Sequence, residues 1–545
     1  MYLSKKYILG ILFLLVSFSI IAEETIEETP VERELTFSQR IDQAFTPLVD
    51  GLTHVLFMDP FALIGIYDDQ VYDEKGMPVY DENGEPVTAP LKLIVVWLLA
   101  GGIFFTIYLK FIGLRGLKHA IDILRGKYAN KDTKGEVTPF QSVTTALSAT
   151  VGMGNIAGVA LAIGIGGPGA TFWMIIIGLL GMSLKFAECT LGIKYRKVEK
   201  DGSISGGPMY YLKYGLMKKG KKMGKFGVFL AFLFAITVMG GSVGGGNMLQ
   251  ANQAFNQLAI FFPGMENYGA IYGVFLAIVV GIVIVGGIKS IGKVTEKIVP
   301  LMAGIYIIAA LVIIGMNIQN TGHALYLIFH DAFSPDALKG GIIGVMIYGI
   351  QRGAFSNEAG MGSAAIAHSA SKNEEPVSEG IVAAIEPFVD TVIICTMTAL
   401  VLIFTGFAEN TQGLAGVQLT SAAFKSVISW FPYVLLVAVT LFAFSTIISW
   451  SYYGLKGFDY LFGDFGEKYF GSRKVTNRIF QFSYLGFVII GASTDILTVM
   501  DFSDMMILAM AIPNLFGLFI LAPEIKSDLN NYWKRLKNGE LEVNK

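Results

Sequence analysis

The chain has 545 residues, of which 53% are hydrophobic and 15% charged, with a mean hydropathy of +0.57. Soluble domains carry about 25% charged residues, so the composition argues against a water-soluble enzyme. Forty-one basic against 43 acidic residues leave a formal net charge of −2, which argues against a nucleic-acid partner. The two cysteines, Cys189 and Cys395, lie in apolar runs and exclude a disulfide framework or a four-cysteine metal site.

At the N-terminus, Lys5 and Lys6 precede an uncharged run from Tyr7 to Ile21, and Ala22 then meets Glu23-Glu24. Residues 1–22 read as an export signal, with an uncleaved anchor as the alternative because Ile20 fits a cleavage site poorly. Residues 23–91 read as an external acidic segment: Glu23 to Pro90 hold 16 acidic residues against three Lys or Arg. Within it Phe37, Ile41, Phe45, Leu48, Leu52, Val55 and Leu56 recur at helical spacing, which predicts an amphipathic helix on the membrane surface. The tandem stretches Val71–Pro78 and Val79–Pro86 carry the turn pairs Lys75-Gly76 and Asn83-Gly84 and predict a small hairpin. Its carboxylates are read as solvated rather than Ca2+-binding.

Residues 92–545 read as an all-α polytopic membrane body. Apolar windows long enough to span fall near 93–109, 142–165, 170–193, 226–248, 268–287, 298–316, 340–365, 380–405, 430–452, 479–492 and 502–522, about eleven helices at roughly 20 residues per span. Lys110 to Val137 carries seven basic and three acidic residues, and Lys194 to Lys225 carries ten and two. These loops are two spans apart, so both belong on the cytoplasmic side. The N-terminus is then external and the C-terminal tail, residues 523–545, internal.

Two windows are interrupted. Ala149-Thr150-Val151-Gly152-Met153-Gly154-Asn155-Ile156-Ala157-Gly158 sets glycines and an Asn in an apolar helix, and Phe355-Ser356-Asn357-Glu358-Ala359-Gly360-Met361-Gly362-Ser363 does the same. Unwound backbone in lipid is tolerated where it is buried in protein or lines a polar cavity. Paired interruptions in two halves point to a transporter's binding site; the alternative for each alone is a glycine packing face. Each interruption opens a block of five helices, residues 138–317 and 339–522. Five is odd, so the second block is inverted relative to the first. The pattern is that of LeuT-type 5+5 inverted-repeat transporters with one extra N-terminal helix, residues 92–112.

Together with Gly166-Gly167-Pro168-Gly169-Ala170, Ser205-Gly206-Gly207-Pro208-Met209-Tyr210-Tyr211 and Phe444-Ser445-Thr446-Ile447-Ile448-Ser449-Trp450-Ser451-Tyr452-Tyr453-Gly454, these stretches make the chain resemble the alanine/glycine:cation symporters, from about Phe37 to Pro523. The resemblance implies a LeuT-type fold that imports a small neutral amino acid with Na+ as coupling ion, in a bacterial inner (plasma) membrane, without an organic cofactor or an obligate protein partner. The family usually has Thr where this chain has Met153, which puts the pocket's size in question.

A zwitterionic substrate needs donors for its carboxylate and acceptors for its ammonium. Half-helix N-termini supply the first and unwound carbonyls the second. Gly152, Gly154 and Asn155 are the candidates in the first break, with Thr150 and Met153 beside them, and Phe355, Ser356 and Asn357 in the second. Gln250 is either a polar wall of the pocket or a helix-packing hydrogen bond. Trp450 either closes over a small side chain or anchors at the interface. By resemblance, Ser445 and Thr446 would hold Na+ with carbonyls of Thr150 and Met153; the alternative is that both hydroxyls bond their own helix. Lys185 and Glu188 are expected to pair, and Glu386 and Asp390 to serve structural hydrogen bonds rather than a proton relay. No nucleophile–base constellation supports an enzyme. The competing functions are a proton-coupled amino-acid permease of the same fold and a transporter-like amino-acid sensor.

Overall fold

The computed structural model describes residues 51, 56–65, 70, 77–78, 90–128, 133–199, 202–262, 264–334, 341–494 and 496–541. The signal peptide, nearly all of the surface helix and nearly all of the hairpin expected from sequence lie outside them.

A helix occupies every apolar window read from the sequence. Among the described residues six helices are long and apolar enough to cross a membrane, or eight when each bent pair is one span. The chain is thus a multi-pass helical membrane protein. The Ala170–Lys194 helix is central and packs against Gly341–Asn357, Pro376–Ala383 and Leu93–Tyr108. Peripheral helices turn bare apolar faces outward: Ile271, Phe275, Ile278 and Ile282 of Gly269–Ile284, and Leu301, Ile305, Ile308 and Val312 of Gly287–Met316, are all exposed at helical spacing. Such stripes suit lipid, where the helix closes its own backbone hydrogen bonds.

Three elements depart from the sequence reading. The extra helix ends at Tyr108; Lys110 and Phe111 take left-handed φ values of 54° and 57°. A second helix, Ile112–Leu124, then leaves at 71° to the first, occupying part of a stretch read as a basic loop. The span expected at 226–248 continues as one helix, Lys221–Phe261, through a π-helical segment at Gly244–Met248. Three successive glycines there widen one turn rather than ending the helix. Short helices Thr321–Phe333 and Gly416–Val427 lie between the apolar windows.

The basic segments meet on one face. Arg196 donates to the Lys134 carbonyl at 2.8 Å and to the Ser371 carbonyl at 2.6 Å. Lys194 pairs with Glu524 and Asp528, and Arg535 binds Glu375 through two 2.7 Å bonds. The two positive segments and the C-terminal tail therefore share a side of the molecule, as their charge predicts.

Candidate functional site

The first break is built from a well-started helix that is stopped by design. Thr138 accepts from the Gln141 N–H, and the Gln141 side chain accepts from the Thr138 N–H, a capping box that fixes the start of Pro139–Thr150. Val151 is extended, and the Gly152 N–H donates to Asn155 Oδ1 at 2.8 Å. The Asn side chain thus stands in for a helical carbonyl. The chain resumes helix at Gly154–Gly166, bent by 50° from the first half.

The second break follows Gly341–Asn357. Glu358, Gly360 and Gly362 take φ values of 53°, 91° and 82°, a region costly for Glu and open to Gly. Side chains close the freed backbone. Asn357 Oδ1 accepts from the Ala359 N–H at 2.9 Å, and its Nδ2 donates to Thr391 at 3.0 Å. Glu188 accepts from the Gly362 N–H at 3.1 Å and from Asn514 at 2.8 Å, and Asn514 also donates to the Gly360 carbonyl. The Ser363 hydroxyl donates to Glu358. Asn357, a candidate for the substrate, holds the break together in this structure.

The breaks touch. A Cβ on Gly154 would lie 3.6 Å from Ser356 Cα, so the backbones approach closely because Gly154 has none. Asn155 Nδ2 donates to Asp390 Oδ1 at 2.7 Å and to Ser356 Oγ at 3.0 Å, and Ser356 donates to Asp390 Oδ2 at 2.7 Å. All three are buried. Asp390 serves structural hydrogen bonds, as expected, but as the knot between the two breaks, which sequence gave no sign of.

The predicted ion ligands separate. Thr446 donates across to the Ser148 carbonyl at 2.9 Å, and a Cβ on Gly152 would lie 3.0 Å from its Oγ1. Ser449 donates to Ser148 Oγ at 3.1 Å. Ser445 instead bonds the Phe442 carbonyl of its own helix at 3.0 Å, and Thr150 bonds back to the Ala146 and Leu147 carbonyls. Adjacent helical residues sit about 100° apart, so only one of Ser445 and Thr446 faces the break. Sequence reasoning missed Ser148 and Ser449; the spacing of Thr446 and Ser449, three apart on one face, was the available signal.

Beside the first break lies a cavity of about 340 Å³, lined in part by Met153, Gly154, Gln250 and Phe355. Of the predicted substrate residues, these four border it. Thr150, Gly152, Asn155, Ser356, Asn357 and Trp450 are not among its lining residues. Gln250 donates to the Gly245 carbonyl at 2.9 Å, a packing bond, while its Oε1 has no partner and faces Gly152. Arg352 and Asp504 form an ion pair at 3.2 Å in the cavity wall.

Trp450 fills neither expected role. It is 1% exposed, and a Cβ on Gly246 would lie 2.2 Å from its Cγ. The indole sits against Gly246 of the π-helical turn and stacks edge-on against Tyr453 at 5.3 Å. Nor does Lys185 pair with Glu188. It faces Glu386 at 3.5 Å, and Glu386 bonds His368, whose other ring nitrogen meets Glu379 at 2.7 Å. Ser142 of the first helix donates to Glu379 at 2.8 Å. Lys185 is thus paired between helices, with Glu386, rather than along its own helix. Among the described residues no group of three or more His, Cys, Asp or Glu is placed to hold a metal ion.

The motif Ser205-Gly206-Gly207-Pro208 packs on the half-helix Ala364–Ser369: a Cβ on Gly206 would meet Ser369 Cβ at 2.3 Å, and Gly207 has φ 95°. It braces the second break from the basic face.

Residues 80–545 match the Sodium:alanine symporter family. The chain is 40% identical over 452 residues to the sodium/alanine symporter AgcS of Methanococcus maripaludis, across 82% of this chain and 95% of that one. It is 34% identical to the "Probable sodium/glutamine symporter GlnT" of Bacillus subtilis, across 82% and 89%. Among solved structures it is similar to MhsT in complex with L-phenylalanine, at 18% identity and a TM-score of 0.48, over 71% of this chain and 89% of that one. A multi-pass helical body with two interrupted helices meeting at its centre is thus matched by sequence along most of its length, and the chain belongs to the sodium:alanine symporter family, a family of Na+-coupled amino-acid symporters rather than enzymes.

Proposed function

We propose that this chain imports a small neutral amino acid, alanine or glycine, together with Na+ across a bacterial plasma membrane. It does so by alternating access, in a LeuT-type body of two inverted five-helix repeats preceded by one extra helix, about eleven spans in all. The N-terminus is external and the C-terminus cytoplasmic. The observation that carries this reading is the contact of the two breaks through Asn155, Asp390 and Ser356, next to a cavity.

The substrate's carboxylate meets the start of the Gly154–Gly166 half-helix, where N–H groups and the helix dipole favour an anion. Met153, Phe355 and Gln250 wall the side chain. Na+ takes oxygen ligands from the Thr446 and Ser449 hydroxyls and the Ser148 carbonyl; Thr446 and Ser449 both bond Ser148, and Thr446 lies beside Gly152. The Lys221–Phe261 helix starts in the basic segment, and its other end, from Leu249 to Ile260, lines the cavity. We read this conformation as open outward, with the His368–Glu379–Ser142 and Arg196–Ser371 bonds closing the basic side. Each Na+ entering gains about 2.3 kcal/mol per 100 mV of membrane potential.

The buried His368–Glu386–Lys185 chain favours a second reading, proton coupling in the same cycle. Equilibrium binding of labelled alanine to purified protein, in Na+ and in K+ at several pH values, separates them. Sodium symport requires that Na+ tighten binding and, by linkage, that alanine tighten Na+ binding. Binding that ignores Na+ and follows pH selects the second reading.

A further inference from the structure

The Lys221–Phe261 helix opens on positive charge that nothing nearby neutralises. Lys213, Lys218, Lys219, Lys221, Lys222 and Lys225 place six lysines in 13 residues, and no Asp or Glu occurs from Gly202 to Met265. All but Lys213 are exposed. Lys213 and Lys218 lie over tyrosine rings, 5.3 Å from the centre of Tyr214 and 4.6 Å from that of Tyr195. None of the six enters an ion pair among the described residues, and Glu524 on the neighbouring Ala511–Lys537 helix is already held by Lys194 and Tyr195. The charge also works against the helix that carries it. Lys221 and Lys222 each stand one turn from Lys225, and like charges at that spacing repel. They occupy the end where the dipole disfavours cations, with no acidic residue in the first turn and no side-chain cap. Local folding therefore does not account for them.

One face of this helix turns from charged to apolar along its length. Lys222, Lys225, Phe226, Phe229 and Ile236 fall at i, i+3, i+4, i+7 and i+14, and all five are exposed. Phe226 meets the exposed Phe516 of Ala511–Lys537 edge-on at 6.4 Å, so aromatic surface from two helices adjoins the lysines. A second exposed lysine face, Lys289, Lys293 and Lys297 at the start of Gly287–Met316, also leads into apolar residues, but Glu296 stands among its three lysines. A cationic head above a bare apolar stem matches a ligand with an anionic head and an apolar tail. A soluble acidic protein would complement the lysines and leave Phe226 and Phe229 unused.

We propose that Lys218, Lys219, Lys221, Lys222 and Lys225 bind the headgroup phosphate of an anionic phospholipid whose acyl chain lies along Phe226 and Phe229. Clustered lysines at the membrane end of a spanning helix attract anionic headgroups, and their long stems let the ammonium groups reach headgroup depth. The site stands apart from the substrate cavity, although the helix that carries it continues to the cavity wall at Gln250.

The test titrates the purified full chain in mild detergent with phosphatidylglycerol and with phosphatidylcholine of the same acyl chains, and counts bound lipids by native mass spectrometry. The proposal expects phosphatidylglycerol to bind roughly tenfold more tightly than phosphatidylcholine, with a preference that weakens as salt is raised. The triple variant Lys221→Gln, Lys222→Gln, Lys225→Gln should bring the ratio close to one. Removing the same charge elsewhere, by Lys289→Gln, Lys293→Gln and Lys297→Gln, should keep the preference. Should the first triple variant fail to reach the membrane, Lys218→Gln with Lys219→Gln, which lie ahead of the helix, is read by the same ratio, with a smaller drop expected. Equal binding of the two lipids by the wild type overturns the proposal, as does an unchanged ratio in the variant that is read. An equal drop in both triple variants also overturns it, because overall charge rather than this site would then set the preference. Binding of polyglutamate without preference for phosphatidylglycerol overturns it in favour of an acidic protein partner.

Discussion

Asn155 and Asp390 are tied across the centre of the molecule: the Asn155 amide donates to the Asp390 carboxylate at 2.7 Å while its carbonyl oxygen holds the Gly152 N–H at 2.8 Å. One side chain thereby links the shape of the first break to the Pro376–Phe404 span. Ser356 adds the second break through the other carboxylate oxygen. A hydrogen bond to a charged group contributes about 1.5–3 kcal/mol. Asp390→Asn should therefore lower both the thermal midpoint in detergent and the uptake rate, the latter tenfold or more. Asp390→Ala should do worse, because it removes both carboxylate acceptors and leaves Asn155 only the backbone carbonyl at 390, Ser356 and the weak acceptor Cys395 Sγ, and Ser356 only Cys395 Sγ. Uptake that survives Asp390→Asn intact would mean that the knot does not move with the cycle.

Thr446 and Ser445 are neighbours with opposite prospects. Thr446 reaches the first helix at Ser148, and Ser445 bonds its own helix. Thr446→Ala should raise the Na+ concentration for half-maximal uptake about five- to thirtyfold, the equivalent of one ligand at roughly 1–2 kcal/mol. Ser445→Ala should leave it unchanged, and Ser449→Ala should fall between. Sodium titrations of uptake at fixed alanine check all three.

Much of this was legible in the sequence, and the reasons differ by residue. The breaks were readable because Gly152, Gly154, Gly360 and Gly362 stand in apolar helices, where unwound backbone needs a polar lining. The sharing of one face by the basic segments was readable from charge. What sequence did not disclose were partners distant in the chain. A lone Asp390 in an apolar helix reads alike whether it meets Asn155 or water. Trp450 looked like a pocket lid because its socket, Gly246, lies some two hundred residues earlier. The window at 226–248 stopped short because the polar Leu249–Phe261 stretch that continues the helix lowers the local hydropathy.

That socket makes a stability prediction. Gly246→Ala would set a Cβ 2.2 Å from Trp450 Cγ, in the rigid part of the indole. Overpacking of this kind costs about 1–3 kcal/mol. Unfolding in detergent should shift to lower temperature, while the order of preference among substrates stays as in the wild type. A changed order with unchanged stability would put Trp450 in the pocket after all.

Met153 is 3% exposed and lines the cavity, so the residue that departs from the family's usual Thr faces the space a substrate would use. Met153→Thr removes bulk there and should admit larger side chains. A hydrophobic pocket discriminates one methylene by about 1–3 kcal/mol, so the ranking of serine, glutamine and leucine against alanine should shift by a factor of roughly ten to two hundred at most. Competition against labelled alanine measures it. An unchanged ranking would place Met153 in helix packing.

The central claim is that Na+ and a neutral amino acid move inward together through the paired breaks. Accumulation of labelled alanine in proteoliposomes tests it most directly, with the potential clamped by K+ and valinomycin and either a Na+ or a proton gradient imposed. The account predicts accumulation above the external concentration only with inward Na+, an increase when the interior is made negative, and a Na+ response shifted to higher Na+ concentration in Thr446→Ala. Accumulation driven equally well by a proton gradient without Na+, or alanine binding with no accumulation under any gradient, would contradict it.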